Sequence, residues 1–196
     1  MNLSRTINYW ETKKAAYYQW MYGLSRAKRL FLCLGMAAVT GLSAQIRIPL
    51  SFTPVPITGQ VFVVLLTGEL LGNFYGGFAM FLYFIIGCAG FPWFTGATGG
   101  LPLGPTAGYI LGFIPAALVI GWMTEKYKRS HGLLPLIGLM MIGVLIIYLC
   151  GAVYFALFMK TTVKQTLIMA VMPFIPVDLF KALAAAAAAK SVLPRS

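Results

Sequence analysis

The sequence predicts an all-α integral membrane protein, a compact bundle of six transmembrane helices with ordered outer loops. Hydrophobic residues make up 60% of its 196 residues and charged residues only 10%. An ordinary soluble domain carries about 25% charged residues. A water-soluble fold of this size could not bury so much apolar surface, so the excess is expected in lipid. The division of the chain into apolar segments gives the helix count.

Six apolar segments separated by short connections are expected to form the helices. They are Arg29–Gln45, Ile57–Gly72, Tyr75–Gly90, Thr106–Thr124, Leu133–Met159 and Pro176–Ser191. Several are shorter than the roughly 20 residues that cross a bilayer. Their connecting loops must therefore fold back into the membrane, shielded by the rest of the protein.

The segment before the first helix has a different character, because it is polar, basic and aromatic. Residues 1–28 include Trp10, Tyr17 and Trp20 beside Lys13 and Lys14, which is typical of an arm lying on the membrane surface. A disordered tail is the alternative. Residues 29–196 are expected to form the six-helix membrane substrate-binding domain.

The charge distribution predicts the orientation. With the N-terminus inside the cell, eleven of the 15 Lys and Arg residues lie on the cytoplasmic side. The positive-inside rule favours this arrangement, with both termini cytoplasmic in a multi-pass protein of the cell membrane. We therefore read the net charge of +11 as a topology signal and a contact to anionic lipid, and not as a nucleic-acid surface.

Two outer connections are unusually apolar and rich in Pro and Gly. They run from Gln45 to Thr58 and from Gly90 to Pro105. A loop exposed to water would be more polar. We expect ordered caps that line a cavity, with tight hydrophobic turns of no function as the alternative.

The final predicted helix carries two ionisable residues, Asp178 and Lys181, in its first turns. A spacing of three places both on one helix face, and the helix dipole favours an anion at position 178. A charge inside a span costs roughly 3 kcal/mol unless it is paired or hydrated. The pair is expected either to bind a polar ligand or to hold the bundle together as a closed ion pair.

Other polar residues support weaker predictions. Glu69 is expected at the membrane–water interface, with a contact to a partner subunit as the alternative, and Arg47 is either a solvated rim charge or a clamp for an anionic ligand tail. Cys33, Cys88 and Cys150 share no CxxC spacing, so we expect no metal site. The chain has no recognised catalytic or phosphate-binding motif. It is therefore not expected to be an enzyme or to carry a cofactor.

Four stretches of the sequence together resemble the BioY family. They are RIPLSFTPVPITGQ from Arg47, GFPWF from Gly90, LGPTAGYILGF from Leu103 and PFIPVDLFK from Pro173. BioY proteins are the biotin-specific S components of energy-coupling factor (ECF) transporters. The resemblance runs from about Leu30 to the end of the chain, and the first-loop and last-helix motifs are the most specific.

The resemblance implies biotin as the ligand, and a membrane T component and two ATPase subunits as partners. It implies that Asp178 and Lys181 bind the polar groups of biotin. It also implies a small-residue contact with the T component in the first helix, where Ala37 and Gly41 are the nearest match. Thr95 or Thr98 would supply the polar contact of the loop after the third helix.

The chemistry of biotin suits the remaining candidates. Its ureido ring has two N–H donors and a carbonyl, and its thiophane ring and valeryl chain are apolar, so aromatic side chains can pack on them. The candidate ligand-binding residues are Asp178, Lys181, Arg47, Phe52, Trp93, Phe94, Thr98, Tyr109 and Tyr154.

Two other classes of function compete with a vitamin-binding transport subunit. One is an ion-coupled secondary transporter of a small vitamin-like carboxylate, and the other is an intramembrane enzyme with Lys181 as its base. The first predicts inverted repeats, and the sequence has no convincing internal repeat. The second needs a nucleophile near Lys181, and the last helix has no Ser or Cys within one turn of it.

Overall fold

The helices follow the apolar segments of the sequence closely. The computed structural model describes residues 23–126 and 132–192, with the isolated positions Thr12, Ala16 and Gln19. Within this part of the chain there are seven helices and one two-stranded sheet. In chain order they are α1 (Arg26–Ser43), β1 (Arg47–Leu50), β2 (Thr53–Thr58), α2 (Gln60–Leu71), α3 (Asn73–Cys88), α4 (Ala107–Lys126), α5 (Leu133–Met159), α6 (Val163–Ala170) and α7 (Ile175–Val192).

Two helices, α4 and α5, are long and apolar enough to cross a membrane on their own. A third candidate is the pair α6 and α7, which is bent by 54° at the short break between them. Helix α5 is apolar on all sides, and its outward face carries Leu134, Leu149 and Leu157, which are each more than 60% exposed. A helix with such an outward face belongs in lipid, and the protein is an integral membrane protein.

Glycines allow the helices of the bundle to approach closely. A Cβ atom on Gly68 of α2 would lie 2.8 Å from the carbonyl oxygen of Ala117 in α4. A Cβ atom on Gly76 of α3 would lie 2.9 Å from the Cα of Gly68. Association of helices in lipid depends on such backbone contacts, since no hydrophobic effect drives it there. The three helices α2, α3 and α4 therefore form a tightly packed junction.

The connection between α1 and α2 is a β-hairpin, which the sequence analysis did not predict. Strands β1 and β2 pair antiparallel with Arg47 opposite Thr58 and Ile48 opposite Ile57, and the ladder is irregular between Ile48 and Leu50. Prolines disfavour strands because they cannot donate to the ladder, but an edge strand tolerates them. Both strands here are edges, so the prolines did not exclude the hairpin.

The connection between α3 and α4, residues 89–106, has no regular structure beyond one bridge between Phe94 and Thr98. We call it the long loop. Gly90, Gly96 and Gly100 have positive φ angles in it, which glycine adopts without strain. The long loop lies beside the hairpin, since a Cβ atom on Gly96 would lie 2.6 Å from Nη1 of Arg47 in β1. It is also held to the end of α1, where the Gln45 side chain accepts a hydrogen bond from the Ala97 N–H at 2.9 Å.

The structure corrects two expectations about polar segments. Helix α1 begins at Arg26, so residues 26–28 belong to it and not to the predicted arm. The rest of the predicted arm lies outside the described residues, apart from Thr12, Ala16, Gln19, Gly23, Leu24 and Ser25. Glu69, expected at the interface, is only 1% exposed. The C-terminal part of α4 covers it, and the Thr124 hydroxyl lies 2.7 Å from its Oε2.

We predict that Glu69→Gln melts at or above the wild-type temperature, whereas Glu69→Lys melts at least about 5 °C lower. The Oε1 of Glu69 is buried and has no hydrogen-bond partner among the described residues. A neutral amide keeps the acceptor for Thr124, while an ammonium would be buried without an anion. Thermal unfolding in detergent measures both, with exposed Lys164→Gln as the control. A Glu69→Lys variant as stable as wild type would contradict the buried environment.

Candidate functional site

A cavity lies inside the bundle near the hairpin. Its walls come from α2, α4, α5 and α7, and strand β2 and Thr95 of the long loop lie on its hairpin side. Side chains from distant parts of the chain therefore meet around one cavity.

A three-residue polar cluster forms one wall of the cavity. The Lys181 ammonium lies 2.7 Å from Oδ1 of Asp178, and the Tyr148 hydroxyl of α5 donates to Oδ2 at 2.8 Å. Asp178 is 3% exposed. We call Asp178, Lys181 and Tyr148 the charged cluster. It satisfies both carboxylate oxygens, as a buried anion requires.

The position of the cluster follows from how α7 begins. The break after α6 is followed by Pro176, whose missing N–H is tolerated in the first turn of a helix. The Asp178 N–H donates to the Phe174 carbonyl at 2.8 Å, so the carboxylate is held where the helix dipole favours an anion. Lys181 lies one turn later, on the same face.

The lysine of the cluster retains capacity for a ligand. An ammonium has three N–H donors and no acceptor, and the bond to Asp178 uses one of them. Its side chain is 13% exposed and lines the cavity. Lys181 can therefore donate to a carbonyl or carboxylate of a ligand without leaving Asp178.

Aromatic side chains form much of the apolar wall. Tyr109 and Phe113 of α4 line the cavity with Phe174. Tyr109 donates its hydroxyl to the Ala170 carbonyl, and its ring lies edge-on to Phe174 at 6.5 Å between centroids. The hydroxyl is thus satisfied within the chain, and the ring packs closely on Gly151 of α5 while it lines the cavity.

A second cavity adjoins the first under the long loop. The two share Thr95, Thr106 and Ile110 in their linings. Phe94 and Thr98 also line the second cavity. A ligand longer than the first cavity could extend past Thr95 into this space.

The structure brings some of the predicted ligand-binding residues together. Asp178, Lys181 and Tyr109 line the first cavity, and Phe94 and Thr98 line the second. Thr95 lines both, so the long loop does place a hydroxyl at the cavity. The aromatic and charged groups predicted from distant parts of the sequence therefore meet at one end of the bundle.

Four other predicted ligand-binding residues line neither cavity. Trp93 is 7% exposed and packs on Tyr83, whose carbonyl accepts its indole N–H at 2.9 Å. Phe52 is 54% exposed at the hairpin turn. Tyr154 stacks on Phe158. Arg47 lies over Gly96, where an added Cβ would be 2.6 Å from its Nη1. We do not retain these four as direct ligand contacts.

The predicted partner contact at Ala37 and Gly41 also needs correction. Both residues are on the buried face of α1, and Ala37 has no exposed surface. A Cβ atom on Gly41 would lie 2.7 Å from the Cβ of Trp93. Gly41 thus makes room for Trp93 of the long loop, and both Ala37 and Gly41 are buried within the chain, away from the surface on which the predicted contact depends.

Sequence reasoning missed Tyr148 and Gln60. A tyrosine in the middle of a long apolar helix needs a partner for its hydroxyl, which was a signal for Tyr148. Gln60 is the first residue of α2 and only 4% exposed. Its role depends on residues of the hairpin and the long loop, which the sequence does not place beside it.

A helical membrane bundle with a buried charged cluster on the wall of an internal cavity has the features of a small-molecule-binding membrane protein. A sequence model of the BioY family matches residues 13–196 of this chain, and the chain belongs to that family. The match begins within the N-terminal segment that the resemblance left out.

Relatives and one solved structure support the same assignment. The chain is 37% identical to the probable biotin transporter BioY of Pyrococcus horikoshii, over 80% of this chain and 91% of that protein. It is 38% identical to the biotin transporter BioY of Thermotoga maritima, over 76% and 86% of the two chains. The crystal structure of the S-component for biotin from an ECF-type ABC transporter superposes with a TM-score of 0.77. It is 26% identical, and the match covers 86% of this chain and 93% of that one.

We predict that Lys181→Met lowers the melting temperature more than the double variant Asp178→Asn with Lys181→Met does. Removing the lysine alone leaves a buried carboxylate without its cation, which costs about 3–5 kcal/mol. In the double variant the neutral amide still accepts from Tyr148. Thermal unfolding without ligand tests this. Equal melting temperatures for the two variants would show that the carboxylate does not depend on Lys181.

Proposed function

We propose that this chain is the substrate-binding S component of an ECF-type transporter and binds biotin for uptake into the cell. The observation that carries the proposal is the charged cluster facing a mostly apolar cavity in a member of the BioY family. The relatives named above are biotin transporters. The cavity supplies the chemistry that such a ligand requires.

The ureido ring of biotin fits the charged cluster. The Asp178 carboxylate accepts N–H groups, and Lys181 donates to the ureido carbonyl, for which it has N–H donors to spare. Hydrogen bonds that involve a charged partner are about twice as strong as neutral ones. The thiophane ring packs against Tyr109 and Phe113, which line the same cavity.

The valeryl chain extends from the first cavity into the second. Thr95 and Thr106 lie where the two cavities meet, and Phe94 and Thr98 provide an apolar and a polar contact beyond them. In this arrangement the carboxylate of the ligand lies under the long loop.

The proposal includes a topology and partners. Six membrane segments, α1 to α5 and the α6–α7 pair, would place both termini in the cytoplasm and the hairpin and long loop on the outer side. The distribution of Lys and Arg supports this orientation. The substrate-binding domain begins with α1 at Arg26, and a T component with two ATPase subunits supplies the energy.

We predict that the purified chain binds biotin with a dissociation constant of about 1 μM or tighter. Asp178→Asn and Lys181→Met should each weaken binding by about 10–100-fold, the equivalent of one charge-assisted hydrogen bond. Calorimetric titration in detergent measures these affinities. Tyr154→Phe, which lies outside both cavities, is the control and should bind like wild type.

Two outcomes would count against the proposal. A wild-type chain that is folded but does not bind biotin would exclude biotin as the ligand. If binding survives both substitutions unchanged, the ligand lies elsewhere and the charged cluster is a structural ion pair.

A transport measurement separates the proposal from an ion-coupled secondary transporter. We predict that the chain alone, in liposomes with a proton gradient, accumulates no biotin, and that ATP-driven uptake requires the T component and ATPases. The chain has no recognised phosphate-binding loop, so ATP can drive uptake only through partner subunits, and the lone chain could use only an ion gradient. Uptake by the lone chain that collapses with the gradient would favour the secondary transporter.

A further inference from the structure

Gln60 lies at the point where the hairpin, the long loop and the helical bundle meet. It follows Thr58 and Gly59 at the end of β2 and begins α2. Its side chain is buried, yet it forms part of the wall of the first cavity. A buried amide must find partners for its donors and its acceptor.

The partners of this amide come from three different parts of the chain. Its Oε1 accepts from the Thr58 hydroxyl of the hairpin at 3.1 Å and from the Thr95 hydroxyl of the long loop at 3.2 Å. Its Nε2 donates to the Tyr83 hydroxyl of α3 at 2.8 Å. A single side chain thus bonds both covering segments to a helix of the bundle.

Tyr83 extends this network to a second point of the long loop. It is completely buried, and its hydroxyl donates to the Trp93 carbonyl at 3.3 Å. The Trp93 indole N–H donates in turn to the Tyr83 carbonyl at 2.9 Å. We call Gln60, Thr58, Tyr83, Trp93 and Thr95 the Gln60 network.

We propose that Gln60 is a positioning residue that holds the hairpin and the long loop closed over the cavity as one unit, and so sets the rate at which a bound ligand leaves. Since both threonines bond to the same oxygen, removing the amide releases both segments together. The effect on ligand release rests on the proposed function, whereas the coupling of the two segments does not.

Gln45 provides a matched comparison. Its Oε1 accepts from the Ala97 N–H at 2.9 Å, and its Nε2 donates to the Phe94 carbonyl at 3.1 Å. These bonds hold the long loop to the end of α1, and none of them reaches strand β2. A substitution of Gln45 should therefore loosen the long loop but leave the hairpin closed.

Hydrogen exchange of the full-length protein in detergent, without ligand, tests the coupling. Gln60→Met keeps the side-chain length and removes the amide, and exchange should rise at least tenfold in residues 47–58 and in residues 93–98. Gln45→Met should raise exchange only in residues 93–98. If Gln60→Met affects one segment alone, or raises exchange throughout the protein, the two segments are not coupled through Gln60.

The rate of ligand release tests the second part. The dissociation of labelled biotin should be at least tenfold faster from Gln60→Met than from wild type. A merely structural role would lower the melting temperature without changing the release rate of the folded fraction. An unchanged rate would overturn the proposal.

Tyr83→Phe is the second variant for the release measurement if Gln60→Met does not fold. It keeps the ring and removes only the hydroxyl, so release should still be faster, and an unchanged rate again counts against the proposal. A wild-type chain that does not bind biotin would disprove the proposed function, and the exchange experiment would still decide the coupling.

Discussion

A carboxylate inside a largely apolar bundle must have partners, and the rest of the site depends on how this requirement is met. Asp178 takes one partner from its own helix and one from α5, namely Lys181 and Tyr148. The first bond is available wherever α7 forms. The second exists only if α5 packs at the correct height, so the cluster fixes the register of the two helices that form the deep wall of the cavity.

The helices were predictable because lipid requires long apolar segments, and α5 has the predicted bounds of Leu133–Met159. The hairpin was not, because its alternation of prolines with apolar residues suggests an irregular loop. The segment forms strands because Arg47 pairs with Thr58 and Ile48 pairs with Ile57. Such pairing joins residues nine and eleven positions apart, which local propensity does not register.

The site was predictable where its chemistry is local. Asp178 and Lys181 are three residues apart, and a helix brings them together whatever surrounds it. Tyr148 lies 30 residues from Asp178, so only the packing of α5 on α7 reveals it. Trp93 is the opposite case, a predicted ligand contact that the structure does not place at a cavity. As an aromatic residue in an apolar loop it suggested such a contact, but its indole N–H donates to α3 and its side chain packs on Gly41.

The charged cluster also bears on selectivity. Asp178 already has two partners, so a ligand gains little by neutralising its charge. A ligand gains most by hydrogen bonding to the free lone pairs of the carboxylate and to the remaining donors of Lys181. A purely apolar molecule would cover those donors without replacing their hydrogen bonds to water, at a cost of about 1–3 kcal/mol for each group. A molecule with N–H donors beside a carbonyl satisfies both residues together. In the proposed binding site, selection would therefore depend on the cost of unpaired polar groups as much as on shape, and the apolar walls would add affinity for whatever carries that polar edge.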